Sequence, residues 1–288
     1  MTTPKNLPVV RVLGVDTWMF RQPIHTHFEA PHVFLLVGKE TALLVDSGTG
    51  DFDFRDAIAA VLDEAYRTDG FRRHLLVVHT HGHSDHVGGD ALLRGWRGAR
   101  IVPADVPSLT SFLGLGRWPL GRGVLELGDR PVDVLPIPGH SSDHVAFFDR
   151  RSGLLLTGDT LYPGRITVRE ARAFRASIAR LADFARDVRP SALYGSHVER
   201  DLHGHDYAIG ATTHPDEAPL ALPVSALFEM ERVVDAGVPR GPRRLRSCTL
   251  VPIGEEREHR TWPMASTPRP GAGTGASLLV SRTPYVRA

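Results

Sequence analysis

The sequence has a single cysteine, few lysines and no long apolar run. Because Cys248 is alone among the 288 residues, an internal disulfide is excluded. No apolar stretch is long enough to span a bilayer. Residues 1–8 also lack the apolar core of a signal peptide. These absences predict a cytoplasmic location.

An excess of charge of one sign is also absent. The chain has 34 basic residues (Lys and Arg) and 33 acidic residues, with a net charge of +1, and all basic residues except Lys5 and Lys39 are arginine. This balance disfavours nucleic-acid binding as the main function. Hydrophobic residues make up 42% of the chain, enough for a sizeable core, and the length suits one large domain or two small ones.

Histidine, by contrast, is concentrated in one short segment, residues 79–86. Four of its side chains fit the pattern His-x-His-x-Asp-His: His81, His83, Asp85 and His86. Imidazole nitrogens and carboxylate oxygens are ligands suited to zinc and similar first-row ions. The apolar run 75–78 just before this segment is typical of a buried strand. The pattern therefore predicts a metal site on a loop at the end of a core strand.

Three later apolar runs end in the same way. Strands are predicted over residues 132–137, 154–156 and 192–194, and each is followed by a glycine and then a ligand type: His140, Asp159 and His197. Glycine permits the tight turn and the close backbone approach that a metal centre needs. If the four strand ends meet, they would gather five histidines and two aspartates.

These motifs closely resemble those of the metallo-β-lactamase-fold hydrolase superfamily, in its lactonase and glyoxalase-II-like branch, over roughly residues 34–197. The resemblance implies an α/β fold, a four-layer αββα sandwich with metals at one edge. It also implies that the first metal is held by His81, His83 and His140. By the same resemblance, the ligands of the second metal would be Asp85, His86 and His197. Asp159 would bridge the two ions, and Asp46 would orient a ligand histidine.

The domain layout is predicted from how far this resemblance extends along the chain. Residues 1–213 are predicted to form the metallo-β-lactamase-type domain and residues 214–288 a C-terminal extension, of which roughly the last 20 residues are predicted to be disordered. Apolar residues at helical spacing predict helices over 171–188 and 224–234. A short helix is predicted over 88–96, and an apolar loop is predicted over 107–123.

The ligand set determines the expected chemistry. Two divalent ions, zinc or alternatively iron or manganese, would share a hydroxide that cleaves an ester, lactone or thioester bond. Asp85 and Asp159 are expected to orient the attacking water. Tyr162 is similar to a tyrosine of acyl-homoserine lactonases whose hydroxyl reaches the substrate carbonyl, whereas glyoxalase-II-type thioesterases usually carry phenylalanine there. An ordinary packed aromatic is the alternative for Tyr162.

Other functions of the same fold are weighed against this prediction. A persulfide dioxygenase would hold one iron ion, and the seven-residue ligand set argues for two ions instead. A β-lactamase is disfavoured because those enzymes are exported and no signal peptide is found. We therefore expect a small-molecule substrate, with neither nucleic acid nor a membrane as partner; a homodimer stays open.

Overall fold

The computed structural model describes residues 7–253 and 280–281. Two sheets face each other, and helices cover their outer faces. The strands, in chain order, are β1 (Val9–Gly14), β2 (Thr17–Arg21), β3 (His32–Val37), β4 (Thr41–Val45), β5 (His74–Val78), β6 (Arg100–Ile101), β7 (Gly123–Glu126), β8 (Pro131–Pro136), β9 (Val145–Asp149), β10 (Leu154–Gly158), β11 (Arg165–Val168), β12 (Ala192–Gly195), β13 (Ala221–Leu222), β14 (Arg243–Arg244), β15 (Thr249–Pro252) and β16 (Val280–Ser281). The helices are α1 (Arg55–Asp69), α2 (Ser84–Val87), α3 (Asp90–Leu93), α4 (Val106–Leu113), α5 (Ala171–Val188) and α6 (Val224–Asp235).

The first sheet has the strand order β16-β1-β2-β3-β4-β5-β6, and the second has the order β13-β12-β10-β9-β8-β7. In the first sheet β1 to β4 are antiparallel, and β5 then joins β4 in parallel after the crossover through α1. In the second sheet β7 to β10 are antiparallel and β12 is parallel to β10. Strands β8, β10 and β12 therefore run in the same direction and end at the same edge.

Alternating side chains along the strands divide the core into layers, because successive residues of a strand point to opposite faces. In β3, Phe34 and Leu36 pack between the two sheets. Their neighbours Val33 and Leu35 pack in a separate cluster with Ile58 of α1. The second sheet is covered in the same way by α5 and α6. The predicted αββα sandwich is therefore confirmed.

Helix α5 buries one apolar face, whose spacing is the feature that predicts it from sequence. Phe174, Ile178 and Leu181 are each fully buried and recur at helical spacing against the second sheet. The predicted bounds of 171–188 agree with the structure. Helix α6 lies in the same core cluster, and its predicted bounds of 224–234 differ from the observed ones by one residue.

Two predictions of local structure were wrong. The loop expected over residues 107–123 contains most of α4, which begins after Asp105, whose Oδ1 accepts a hydrogen bond from the Ser108 backbone N–H at 2.8 Å. The helix expected over 88–96 is shorter in the structure, where α3 is the only α-helix in this range. Gly88 and Gly89 lie outside α3, between it and α2. A Cβ on Gly89 would lie 2.1 Å from the carbonyl oxygen of Ser47, so this segment packs as a close backbone contact.

Beyond the predicted boundary at residue 213, the chain continues to pair with the sandwich. β13 adds to β12 at the edge of the second sheet, and β15 pairs with β11. The domain boundary itself stays a prediction. The tail predicted to be disordered lies outside the described residues, apart from β16, which pairs with β1. Within residues 7–253, no helix has both the length and the apolar character that crossing a bilayer requires.

Arg130, just before β8, pairs with Asp149 of its own sheet and also hydrogen-bonds to the first sheet. Its guanidinium is fully buried and donates from Nε and Nη2 to the two carboxylate oxygens of Asp149, at 3.1 and 2.6 Å. Nη1 donates to the carbonyls of Val37 in β3, at 3.0 Å, and of Asp16 in the turn between β1 and β2, and Nη2 donates to Thr17 Oγ1 in β2. All five N–H groups of this side chain are therefore paired.

We expect Arg130→Met to destabilise the protein by about 3–5 kcal/mol, because it leaves the Asp149 carboxylate buried without its partner. Arg151→Met is the matched control. Arg151 also pairs with an aspartate, Asp16, but at the surface, where such a pair contributes roughly 0–1 kcal/mol. Urea denaturation followed by circular dichroism measures both values. Equal losses in the two variants would show that the buried Arg130 contributes no more to stability than an arginine in a surface pair.

Candidate metal centre

Four loops meet at one edge of the sandwich, and each follows a strand of the core. The loop after β5 and the short helix α2 carry His81, His83, Asp85 and His86. The loops after β8, β10 and β12 carry the remaining candidates: His140, Asp159 and His197. Because β8, β10 and β12 run in the same direction, their final residues project to one side. The structure thus brings together all seven ligand candidates that the sequence suggested.

The first group of side chains contains three histidines. His83 Nδ1 lies 2.8 Å from His81 Nε2 and 3.1 Å from His140 Nε2. His81 and His140 are buried, whereas His83 is half-buried. Three imidazole nitrogens are thus directed toward one point.

The second group contains Asp85, His86 and His197. Asp85 Oδ2 lies 3.1 Å from His86 Nε2 and 3.2 Å from His197 Nε2. All three residues are buried. This group therefore presents a carboxylate oxygen and two imidazole nitrogens toward a second point.

Asp159 lies between the two groups. Its Oδ2 is 3.5 Å from His140 Nε2 and 4.0 Å from His81 Nε2, on the side of the first group. Its Oδ1 is 3.5 Å from His86 Nε2 and 3.3 Å from His197 Nε2, on the side of the second. Each carboxylate oxygen thus faces a different group.

The donor atoms fit divalent ions. Two ligands held about 2.1 Å from a tetrahedral ion are roughly 3.4 Å apart, and the separations within each group lie near that value. His86 Nε2 and Asp159 Oδ1 are buried without a well-aligned hydrogen bond to any part of the chain that the structure describes. Such orphaned polar atoms are costly unless a further partner is bound. The histidine and aspartate cluster is therefore a metal-binding site for divalent ions.

Burial keeps the first group in its ligating form. It lowers the pKa of His140 to about 4 and lowers the pKa of His83. Burial, together with the neighbouring His86, holds the pKa of His81 well below its ordinary value. Neutral imidazole is the form that binds a metal, so these three side chains need not lose a proton at neutral pH.

The second group has a different electrostatic character. Burial by itself would lower the pKa of His86, but the carboxylates of Asp85, Asp46 and Asp159 hold it well above its ordinary value. Burial likewise opposes ionisation of Asp159, yet His197 and His86 keep the pKa of its carboxyl well below the usual range. The carboxylates therefore create a strong negative field, which a divalent cation would neutralise.

Hydrogen bonds on the outer side of the ligands fix their orientation. His86 Nδ1 donates to Asp46 Oδ2 at 2.8 Å, and Asp46 Oδ1 accepts the Thr80 backbone N–H at 2.6 Å. His140 Nδ1 donates to the Thr167 carbonyl at 3.0 Å, and His197 Nδ1 donates to the Glu29 carbonyl at 2.9 Å. With Nδ1 of each ring bonded outward in this way, Nε2 is directed at the centre.

Sequence reasoning assigned no role to some of these supporting groups. The carbonyls of Thr167 and Glu29 carry no signal, because any residue type has a backbone oxygen. His79 and His144 are both fully buried beside the centre. The available signal was sequence proximity: His79 lies two residues before His81, and His144 lies four residues after His140.

Tyr162 lies beside the second group, with its ring centroid 5.4 Å from that of His197. The side chain is buried, and its hydroxyl donates to the Arg165 carbonyl at 2.7 Å. Burial, followed by the charge of Glu199, raises the pKa of this hydroxyl well above its ordinary value. The phenol therefore stays protonated and can act only as a neutral hydrogen-bonding group.

The sequence model of the metallo-beta-lactamase superfamily matches residues 28–197, which contain all seven ligand candidates. The chain belongs to this superfamily. Among its relatives, a hydroxyacylglutathione hydrolase of Anaeromyxobacter dehalogenans is 31% identical over 74% of the chain and 77% of that protein. Another hydroxyacylglutathione hydrolase, from Acidiphilium cryptum, is 31% identical over 77% of the chain and 87% of its own length.

Solved structures of metallo-beta-lactamases share the fold. The enzyme of Pontibacter korlensis aligns with a TM-score of 0.53 at 17% identity, over 78% of this chain and 97% of that one. An enzyme of Pseudomonas aeruginosa in its mono-zinc form aligns with a TM-score of 0.53 at 15% identity, over 82% and 99%. At these identities the likeness shows the fold alone. Superfamily membership and the histidine and aspartate cluster together make the protein a metal-dependent hydrolase.

Gly139, just before His140, has φ +142, and a Cβ there would lie 2.4 Å from the Cα of Phe174 in α5. We expect Gly139→Ala to destabilise the protein by roughly 3 kcal/mol or more, through backbone strain and overlap with α5. Gly204→Ala, also at positive φ but with no atom within 4 Å, should cost about 1 kcal/mol. Thermal unfolding of both variants tests the difference, and equal losses would contradict it.

Proposed function

We propose that the protein is a dinuclear metallo-hydrolase that cleaves the thioester bond of a small molecule. One ion would be held by His81, His83 and His140. The other would be held by the remaining three residues, Asp85, His86 and His197. Asp159 would bridge the two ions. The observation that carries the proposal is that the two carboxylate oxygens of Asp159 face two separate groups of ligand atoms.

The relatives support a thioester as the substrate class. Two hydroxyacylglutathione hydrolases are each 31% identical to this chain over about three quarters of its length. A human protein named acyl-coenzyme A thioesterase is 25% identical over 54% of the chain and 66% of its own length. Ester and lactone hydrolysis use the same chemistry at the acyl carbon and are the alternatives. Zinc is the proposed metal, with iron or manganese as alternatives.

When bound, the two divalent ions would polarise the scissile carbonyl and lower the pKa of a water molecule toward about 7. The chain's own residues hold the geometry for this reaction. Asp159 separates the two ligand groups, and Asp46 keeps His86 Nε2 directed inward. Although burial opposes it, His86 and His197 hold the pKa of Asp85 well below its usual range, so its carboxylate can accept a hydrogen bond from water.

Metal analysis tests the proposal directly. We expect about two divalent ions per chain in protein purified without chelator, and about one in His140→Ala or His197→Ala, because each substitution removes a ligand from a different group. His203→Ala, which changes a histidine outside both groups, is the control and should keep both ions. Elemental analysis by mass spectrometry gives the metal content.

The same proteins should then be assayed with hydroxyacylglutathione, acyl-coenzyme A, an aryl ester and a lactone. We expect the thioesters to be cleaved fastest, and Asp159→Asn to lower kcat/KM by about 100-fold or more. A single iron ion per chain would contradict the two-ion site and favour persulfide dioxygenase chemistry. Preferential cleavage of a β-lactam would favour the β-lactamase alternative.

The catalytic role of Tyr162 is a separate part of the proposal. Its hydroxyl would exchange the Arg165 carbonyl for the substrate carbonyl when substrate is bound. We expect Tyr162→Phe to lower kcat/KM by about 10-fold with unchanged metal content, because a hydrogen bond in the transition state is lost. Tyr207→Phe is the matched control, because its hydroxyl also donates to a carbonyl, that of Pro215. If kcat/KM of Tyr162→Phe equals that of the control, the hydroxyl only supports the fold.

Location in the cytoplasm and assembly as a homodimer are left as separate predictions. Neither enters the proposed chemistry, because all seven proposed ligands come from one chain. Gel filtration with light scattering measures the oligomeric state.

A further inference from the structure

His144 is a fully buried histidine that contacts the metal centre without belonging to either ligand group. Its Nε2 accepts a hydrogen bond from the backbone N–H of Asp159 at 3.1 Å. Its ring stacks on the ring of His81, with the centroids 4.7 Å apart and the planes 17° from parallel. One side chain therefore touches a residue of the first group and the residue that lies between the groups.

The surroundings of His144 leave it little freedom. A Cβ on Gly158, which has φ +50, would lie 2.7 Å from His144 Cε1 and 2.8 Å from Nε2. The backbone of His144 itself is also held in place, because its carbonyl accepts a hydrogen bond from the Ile137 N–H at 2.7 Å. The imidazole is thus wedged between the strand end that carries Asp159 and the ring of His81.

The hydrogen bond from the Asp159 N–H also determines the tautomer of the His144 imidazole. Since Nε2 accepts the Asp159 N–H, the proton of the neutral imidazole is on Nδ1. Nδ1 is buried and makes no hydrogen bond within the described ranges. A buried donor without a partner is costly, so packing alone would favour an apolar ring at this position. A histidine differs from such an apolar ring in the acceptor that its Nε2 presents to the Asp159 N–H.

Asp143, the preceding residue, makes a parallel contact to another ligand loop. Its Oδ2 accepts the backbone N–H of Gly82, which lies between His81 and His83, at 3.0 Å. A Cβ on Gly82 would lie 2.7 Å from this oxygen and 2.9 Å from the Ala104 carbonyl, so the loop is closely packed here. Asp143 and His144 follow His140 on the same loop. Asp143 therefore contacts the loop of His81 and His83, and His144 contacts the loop of Asp159.

We propose that Asp143 and His144 are positioning residues that hold the His81–His83 loop and the Asp159 backbone at the spacing two metal ions need. This inference rests on the proposed dinuclear site. Neither residue is a ligand in it, and neither needs to touch the substrate. The loop that supplies one ligand, His140, would thereby set the positions of ligands on two other loops.

His144→Phe tests the acceptor, because it keeps a ring that can stack on His81 but removes Nε2. We expect its affinity for divalent ions to fall by about 10- to 100-fold, the usual effect of losing a partner outside the ligand set. His144→Gln, whose amide oxygen reaches about as far from the backbone as Nε2, should recover most of that loss. Competition with a chelating dye measures the affinity, with zinc alone as the probe.

His214→Phe is the matched control for the same substitution. His214 is also a mostly buried, stacked histidine, on Tyr207 with centroids 4.1 Å apart, but it contacts no ligand candidate. Its substitution should change zinc affinity by less than about twofold, as expected of a residue that shares no contact with the ligands. The absorption spectrum of cobalt-loaded protein is a second readout, because it reports ligand geometry and not stability. We expect it to change in His144→Phe and not in the control.

Asp143 allows a test that does not disturb the buried core, because the residue is half-exposed. Asp143→Ala should weaken zinc binding and change the cobalt spectrum, whereas Asp143→Asn, which keeps an amide oxygen for the Gly82 N–H, should do so much less. This variant keeps the inference testable if His144→Phe does not fold.

The outcomes separate the two proposals. A wild-type protein that binds fewer than two ions would overturn the proposed function. If the wild type binds two ions and both His144→Phe and Asp143→Ala match it in zinc affinity and cobalt spectrum, the positioning role is wrong while the proposed function stands. Equal losses in His144→Phe and His144→Gln would also overturn it, because the acceptor would not then be the relevant feature.

Discussion

The structure depends on holding five imidazoles and two carboxylates at one largely buried place. Each of these groups is costly to remove from water unless it finds a partner, and several remain unpaired by the chain itself. The cost is offset in part by the carboxylates, which lie among the histidines and stabilise positive charge there. A divalent ion in each group would complete the balance. The surrounding fold provides the rigid frame that keeps these groups from moving apart.

That frame follows from strand direction. Every second strand of the antiparallel part of the second sheet ends at the metal edge, so β8 and β10 contribute ligands whereas β9 between them does not. Parallel β12 adds the last one. Glycines at the strand ends let the loops approach closely: a Cβ on Gly195 would lie 2.4 Å from that of Tyr162. Arg130, paired with Asp149 in the second sheet, also hydrogen-bonds to β2 and β3 of the first sheet, away from this edge.

The fold and the substrate class are supported by different observations. Structural likeness to metallo-beta-lactamases at 15–17% identity concerns the arrangement of layers and says nothing about which bond is cleaved. The hydroxyacylglutathione hydrolases share more sequence over most of the chain. Residues 28–197 hold every proposed ligand, whereas β13, α6 and β15 lie beyond them and pack on the second sheet and on β11. Differences in substrate among relatives are therefore expected in the loops around the centre and in the elements after His197.

The sequence alone determined the candidate ligands, and the layers followed from the family resemblance that those ligands carry. Spacing inside residues 79–86 and the glycines before His140, Asp159 and His197 are local signals, and α5 is evident because its apolar face repeats at helical spacing. The short α4 was not predicted, although Asp105 at its N-cap is a local signal. The sequence could not show the interruption at Gly88 and Gly89, which depends on the backbone of a distant loop. Only the tertiary structure decided that the two oxygens of Asp159 face separate groups, and that His144 and two backbone carbonyls support the ligands. These contacts join residues far apart in the chain, and their geometry exists only once the sheets have packed.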